Sequence, residues 1–119
     1  MINEAGYAKL RTLYRDNFNY IGITLNDDTE LIRLKINGVD ADPRITIVAD
    51  GTTNPYEFQI SLKETDVDIP LGAVVKGYKL YDVAAEGTAL QTELLSTNHV
   101  FNAEYEMIIK HRQYIPKIV

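Results

Sequence analysis

The sequence predicts a mainly β protein: an antiparallel β-sandwich or open barrel of about seven strands behind one N-terminal helix. Three observations lead there. Short runs alternate apolar and polar residues, most clearly where Tyr56, Phe58, Ile60 and Leu62 interleave with Glu57, Gln59 and Ser61. Turn-forming clusters such as Asn26-Asp27-Asp28, Asn37-Gly38 and Asp50-Gly51 separate those runs at short intervals. Helical spacing is confined to the start of the chain, so no helices remain between the strands to make parallel crossovers.

The helix is expected within residues 1–17, over 3–16. Asn3 is placed to cap it, Glu4 puts an acid in the first turn where the helix dipole favours one, and Arg15 lies near the end. Tyr7, Leu10, Leu13 and Tyr14 share a face at helical spacing, and Lys9, Arg11, Thr12 and Arg15 mostly face the other way. Strands are then expected over 19–25 and 29–37, the second with Ile32, Leu34 and Ile36 on one side and Arg33 and Lys35 on the other. A longer connection through 40–43 leads to a strand over 44–49, with Ile45 and Ile47 inward, and a loop runs from Asp50 to Pro55. The strand over 56–63 reads as half-buried and antiparallel.

A polar connection over 64–71 follows. Extended structure resumes over 72–83, with Gly77 at a bulge that swaps the inward face. Residues 84–87 form a hairpin loop and 88–95 the returning strand. A turn over 96–99 leads to a long last strand over 100–115, in which Tyr105, Met107 and Ile109 alternate with Glu104, Glu106 and Lys110. Residues 18–115 thus make the sandwich, and 116–119 form a tail that leaves it. One domain of 119 residues is the expectation, since 45% hydrophobic and 24% charged residues suffice for a single core.

Composition narrows function by exclusion. Twelve Lys and Arg against seventeen Asp and Glu give a net charge of −5, which disfavours nucleic acid and anionic membranes as partners. With no cysteine there are no disulfides, thiolate metal sites or cysteine nucleophiles. The opening Met-Ile-Asn-Glu lacks the basic and apolar regions of a signal peptide, and no run is long enough to span a bilayer, so synthesis in a cytoplasm is expected. The glycines are scattered and form no phosphate cradle, and no cofactor is expected.

The residues that could carry chemistry are few. His99 and His111 have no motif-marked acid or nucleophile beside them, so both read as surface or edge residues and no catalytic residue is expected. Acids gather at Asp27-Asp28-Glu30, at Asp40-Asp42 and at Glu64, Asp66 and Asp68. The last three alternate along an extended segment and are the candidate calcium ligands, although no calcium-loop pattern surrounds them and solvated loop acids are the default. Eight tyrosines favour a contact surface, because tyrosine combines large area with a polar tip. Tyr7, Leu10 and Tyr14 on the helix and Tyr105 and Tyr114 on the last strand are the candidate interface residues.

Two stretches carry a family resemblance. Asn3-Glu4-Ala5-Gly6-Tyr7-Ala8-Lys9-Leu10 leads through the helix to Phe18-Asn19-Tyr20-Ile21-Gly22-Ile23 and an acidic turn. Gly77-Tyr78-Lys79-Leu80-Tyr81-Asp82 pairs with Gly87-Thr88-Ala89-Leu90. Together they resemble the N-terminal module of phage tail-fibre and tail-collar proteins, over about half the chain. That family's turn usually carries glycine beside the acid, where this chain has Asn26-Asp27-Asp28-Thr29. The resemblance implies a virion structural protein that assembles with copies of itself and other virion proteins, without catalytic residues. The rival expectation from a different class is a carbohydrate- or cell-surface-binding module, with Tyr56, Tyr81 or Tyr105 stacking on sugar rings; the lack of tryptophan weighs against it. A small enzyme built around His99 or His111 is the third.

Overall fold

The computed structural model describes residues 1–63, 65–101 and 106–115. Among them, helix α1 (Glu4–Asn17) precedes seven strands: β1 (Tyr20–Leu25), β2 (Glu30–Lys35), β3 (Ile45–Asp50), β4 (Tyr56–Leu62), β5 (Val74–Tyr81), β6 (Gln91–Val100) and β7 (Met107–Gln113). The strands form two antiparallel sheets, one in the order β2-β1-β5-β6 and the other in the order β3-β4-β7. The chain makes a hairpin in the first sheet, crosses to make a second hairpin, crosses back to lay β5 beside β1, and returns with β7. The mainly β class with one N-terminal helix is as the sequence predicts.

One core joins the two sheets. Ile21, Ile23, Leu80 and Val75 of the first sheet pack in the same cluster as Tyr56, Phe58, Ile60, Leu62, Met107 and Ile109 of the second. All four inward side chains of β4 are fully buried, each aliphatic one contributing about 1.5–3 kcal/mol of apolar burial. The alternation read in the sequence is therefore the alternation of the sheet.

The acidic turn between β1 and β2 is built from its own side chains. Asp27 Oδ1 accepts from the Thr29 N–H (3.1 Å) and from Thr29 Oγ1 (2.6 Å). Asp28 takes the left-handed conformation at φ 71°, which aspartate tolerates better than most residues. It fills the role that glycine would play there.

The expected bulge at Gly77 is present, and it is shared by both neighbours of β5. Register steps fall between Thr24 and Leu25 on β1 and between Val75 and Gly77 on β5. Val75 points inward before the step, and Tyr78 and Leu80 after it. A Cβ on Gly77 would sit 2.1 Å from the Glu93 carbonyl oxygen, so only glycine lets β6 approach this closely.

Three expectations need correction. The turn over 96–99 is instead part of β6, which continues to Val100: Gly77 pairs with Leu94 and Val75 with His99, so residues 95–98 loop out opposite Lys76 alone. The last strand is β7, Met107–Gln113, and not 100–115; Val100 closes β6, and residues 102–105 lie outside the described residues, as does the tail over 116–119. Finally, α1 is rotated from its expected setting. Its inward side carries Arg11 and Tyr14, with Tyr7 and Phe18 half-buried, whereas Leu10 is 39% and Leu13 57% exposed. Asn3 caps the helix with its backbone carbonyl, which accepts from the Gly6 and Tyr7 N–H groups, and its side chain makes no cap bond.

The rotation follows from the acceptors that α1 meets. Arg11 is 1% exposed. Its Nε donates to the Gly51 carbonyl (2.8 Å), one terminal nitrogen to the Ile115 carbonyl (2.9 Å), and the other to the Thr52 carbonyl (3.1 Å) and to Glu4. A leucine in that place would leave those carbonyls without a donor, a cost of about 1–3 kcal/mol for each that water cannot reach.

Candidate functional site

The most structured polar cluster lies where α1, β5, β6 and β7 meet. His111 follows Met107 and Ile109 on the inward face of β7, and opposite it on β4 is Phe58, with ring centroids 5.2 Å apart. It is 4% exposed, so the expectation of a surface or edge histidine is wrong for His111. The imidazole is held between two phenols: Nε2 is 3.0 Å from the Tyr14 hydroxyl on α1, and Nδ1 is 2.7 Å from the Tyr78 hydroxyl on β5. Tyr14 also reaches Gln91 Oε1 (2.6 Å) and Gln113 Oε1 (3.3 Å). Gln91 Nε2 donates to Glu93 (2.8 Å) and to Gln113 Oε1 (3.1 Å).

The donor count selects a protonation state. Tyr14 has one hydroxyl proton, and its shortest contact sends that proton to Gln91 Oε1. It therefore accepts from His111, which places the imidazole proton on Nε2 and leaves Nδ1 to accept from Tyr78. Burial pushes the His111 pKa below the ordinary imidazole value, against the pull of the Glu93 carboxylate. Burial likewise pushes the Tyr14 and Tyr78 phenols well above their usual range. The result is a neutral imidazole between two neutral phenols, with the Glu93 carboxylate at the edge of the network. Its bonds attach α1 to both sheets.

Other sequence-predicted residues fall in different places. Tyr14, expected at an interface, is a core residue stacked on Phe18 at 4.2 Å, because its hydroxyl finds partners only inside. Leu10 is exposed, Tyr7 and Tyr114 are half-buried, and Tyr105 lies outside the described residues. His99 is half-buried, opposite Val75 on β5. Of the tyrosines suggested for sugar stacking, Tyr56 is fully buried and Tyr81 lies beneath Arg33, whose guanidinium sits 3.4 Å from the ring centroid. Neither offers an open face. Among the described residues the Tyr56 hydroxyl has no hydrogen-bond partner, and burial pushes its pKa up to about 12.

The acids suggested as calcium ligands are organised by Arg44. One of its terminal nitrogens donates to Asp68 Oδ1 (2.8 Å), the other to Asp68 Oδ2 (3.0 Å) and Asp42 Oδ2 (2.9 Å), and Asp66 lies within 3.7 Å. The guanidinium stands where a cation would have to sit, beside a shallow depression of about 420 Å³. Glu64 lies outside the described residues. Among the described residues no group of three or more His, Asp or Glu is gathered to hold a metal ion, and no helix is long and apolar enough to cross a membrane.

Sequence reasoning missed two residues, Arg11 and His111. For His111 a signal existed, since residue 111 shares the parity of Met107 and Ile109 along one strand. For Arg11 there was little, because its backbone acceptors lie 40, 41 and 104 residues away and only Glu4 is near in sequence. Comparisons with family models, with curated proteins and with solved structures find no match for this chain.

Proposed function

We propose that this chain is a structural component of a phage or phage-like particle: a tail or fibre adaptor, baseplate or capsid decoration protein that binds copies of itself and neighbouring virion proteins. The observation that carries this reading is the setting of α1. The helix turns an arginine inward and leaves Leu10 and Leu13 in water, one turn apart on a single flank. Exposed apolar side chains grouped on one element favour contact with another protein. The resemblance of the opening stretch and of the β5–β6 pair to phage tail-fibre and tail-collar modules supports the virion setting. So does the commitment of His111, Tyr14 and Arg44 to internal bonds, which leaves these side chains to architecture.

The test is the mass of the purified chain by light scattering after size exclusion, across a wide concentration range. A discrete homo-oligomer is expected, as closed symmetric assembly requires. The double variant Leu10→Ser/Leu13→Ser is expected to run as a folded monomer. A wild-type chain that stays monomeric at every concentration, or a double variant that assembles like wild type, removes α1 as the self-docking element.

A further inference from the structure

We propose that His111 is an acid-sensitive latch that holds the second half of α1 on the sandwich. The proposal concerns how the helix is attached and stands whatever α1 docks against. His111 is the point at which the helix and both sheets meet: β7 carries it, Tyr14 reaches it from α1, and Tyr78 from β5 in the opposite sheet. The groups that face this junction are Tyr14 from α1, Phe58 from β4, Tyr78 from β5, Gln91 and Glu93 from β6, and Gln113 from β7 itself. Lys110 and Arg112 are exposed on the other face of β7. Glu93 is the one charged group of the set, and its carboxylate is already engaged by Gln91.

Hydrogen-bond geometry makes the neutral ring the locking form. With Nε2 protonated, both ring nitrogens are matched: Nε2 donates to Tyr14 and Nδ1 accepts from Tyr78. A proton added at Nδ1 meets the Tyr78 O–H, which must then turn its own proton away. Among the described residues the Tyr78 hydroxyl has no second hydrogen-bond partner. The junction then holds a buried cation and a displaced hydroxyl, and opening it to water relieves both. Arg11 continues to hold the middle of α1 through the Gly51, Thr52 and Ile115 carbonyls, so the part released is the last turn, which carries Tyr14 and is otherwise tied only by the exposed bond from Arg15 to the Asp50 carbonyl among the described side-chain bonds. The sign agrees with burial: the folded histidine binds its proton less readily than an exposed one. Attachment is therefore complete above the ordinary histidine pKa of about 6.5 and is lost as pH falls below it.

The experiment is hydrogen exchange by mass spectrometry on the full chain, comparing α1 peptides at about pH 7.5 and about pH 5 after correction for intrinsic rates. Wild type is expected to lose at least about tenfold protection over the last turn of α1. His99→Asn should keep that step and His111→Gln should lose it. An undiminished step in His111→Gln, or a wild-type helix equally protected at both pH values, overturns the proposal. Imidazole nitrogen NMR of the His99→Asn chain gives a reading independent of the latch variant. It is expected to show the Nε2–H tautomer at neutral pH, with a titration below that of a free histidine that coincides with the α1 resonances. An Nδ1–H tautomer, or titration without change in α1, overturns it too.

Discussion

Arg11 donates from Nε to the Gly51 carbonyl across 2.8 Å, and this bond ties the N-terminal helix to the loop between β3 and β4. With the bonds to Thr52 and Ile115, a single guanidinium ties α1 to two backbone segments that are distant in sequence. Its planar fork matters as much as its charge, since an ammonium cannot face three carbonyls in fixed directions. Arg11→Met keeps most of the stem and removes the head, and is expected to cost about 3 kcal/mol in urea unfolding. Arg11→Lys should cost about 1–2 kcal/mol. Equal losses for the two would mean that packing of the stem, and not the fork, is what holds the helix.

Gly77 makes a second, sharper prediction. The carbonyl oxygen of Glu93 lies where its Cβ would be, and backbone cannot swing aside as a flexible side chain can. Gly77→Ala should therefore displace β6 from β5 and cost about 2 kcal/mol or more. Gly72 is the control: it has φ +88° but nothing within 4 Å of its Cβ position. Gly72→Ala should lose only the strain of a left-handed residue, about 1–2 kcal/mol. Chemical-shift changes spreading along β6 in the first variant and staying local in the second would separate the two causes.

The difference between these two residues also marks what a sequence can disclose. The swap of inward face at Gly77 was legible because alternation is local: Val75 falls on one parity, Tyr78 and Leu80 on the other. The strand β4 was legible for the same reason. The setting of α1 was not, because Leu10 and Leu13 make the better apolar stripe, and only the carbonyls of Gly51, Thr52 and Ile115 explain why Arg11 displaces them. The bulge over 95–98 shows in the sequence chiefly as Ser96-Thr97-Asn98, a polar run that reads equally well as a turn. The assignment of strands to two sheets is a long-range property that no local period contains. His111 was half legible, as its strand parity was on view but its two tyrosine partners were not.

The Arg44 cluster predicts a loss of stability in acid, in a window separate from that of His111. The Arg44 guanidinium, hydrogen-bonded to Asp42 and Asp68, holds both carboxyls below the usual carboxylate range. Their contribution is present above the unfolded value of about 3.9 and is lost as pH falls through the lower folded values. The pairs are partly exposed, so solvent screens them and Arg44→Ala is expected to cost about 1 kcal/mol at neutral pH. Wild type and Arg44→Ala should converge in urea midpoint at the acid end of that window and stay parallel above it. A constant gap between them down to strong acid would show that the carboxylates gain nothing from Arg44.

At the alkaline end the buried tyrosines decide. Burial raises Tyr14, Tyr56 and Tyr78, with Glu93 adding to the effect on Tyr14 and Tyr78 and Asp16 to that on Tyr56. A phenol whose folded pKa exceeds its unfolded value of about 10 stabilises the fold below that pH, and the contribution disappears as pH rises beyond it. These three side chains should therefore ionise only as the protein unfolds, so part of the phenolate absorbance must rise cooperatively with the loss of β-sheet signal. Tyr56 offers the cleanest dissection, because its hydroxyl has no partner to lose among the described residues. Tyr56→Phe should remove one tyrosine from the cooperative step and leave neutral-pH stability unchanged or slightly higher, since replacing an unsatisfied buried hydroxyl costs nothing. Tyr14→Phe should also remove one, but it destabilises the protein at neutral pH by stripping His111 and Gln91 of their partner. If Tyr56→Phe proves as destabilising as Tyr14→Phe, the Tyr56 hydroxyl is bonded to an ordered water and belongs to the polar framework beneath α1.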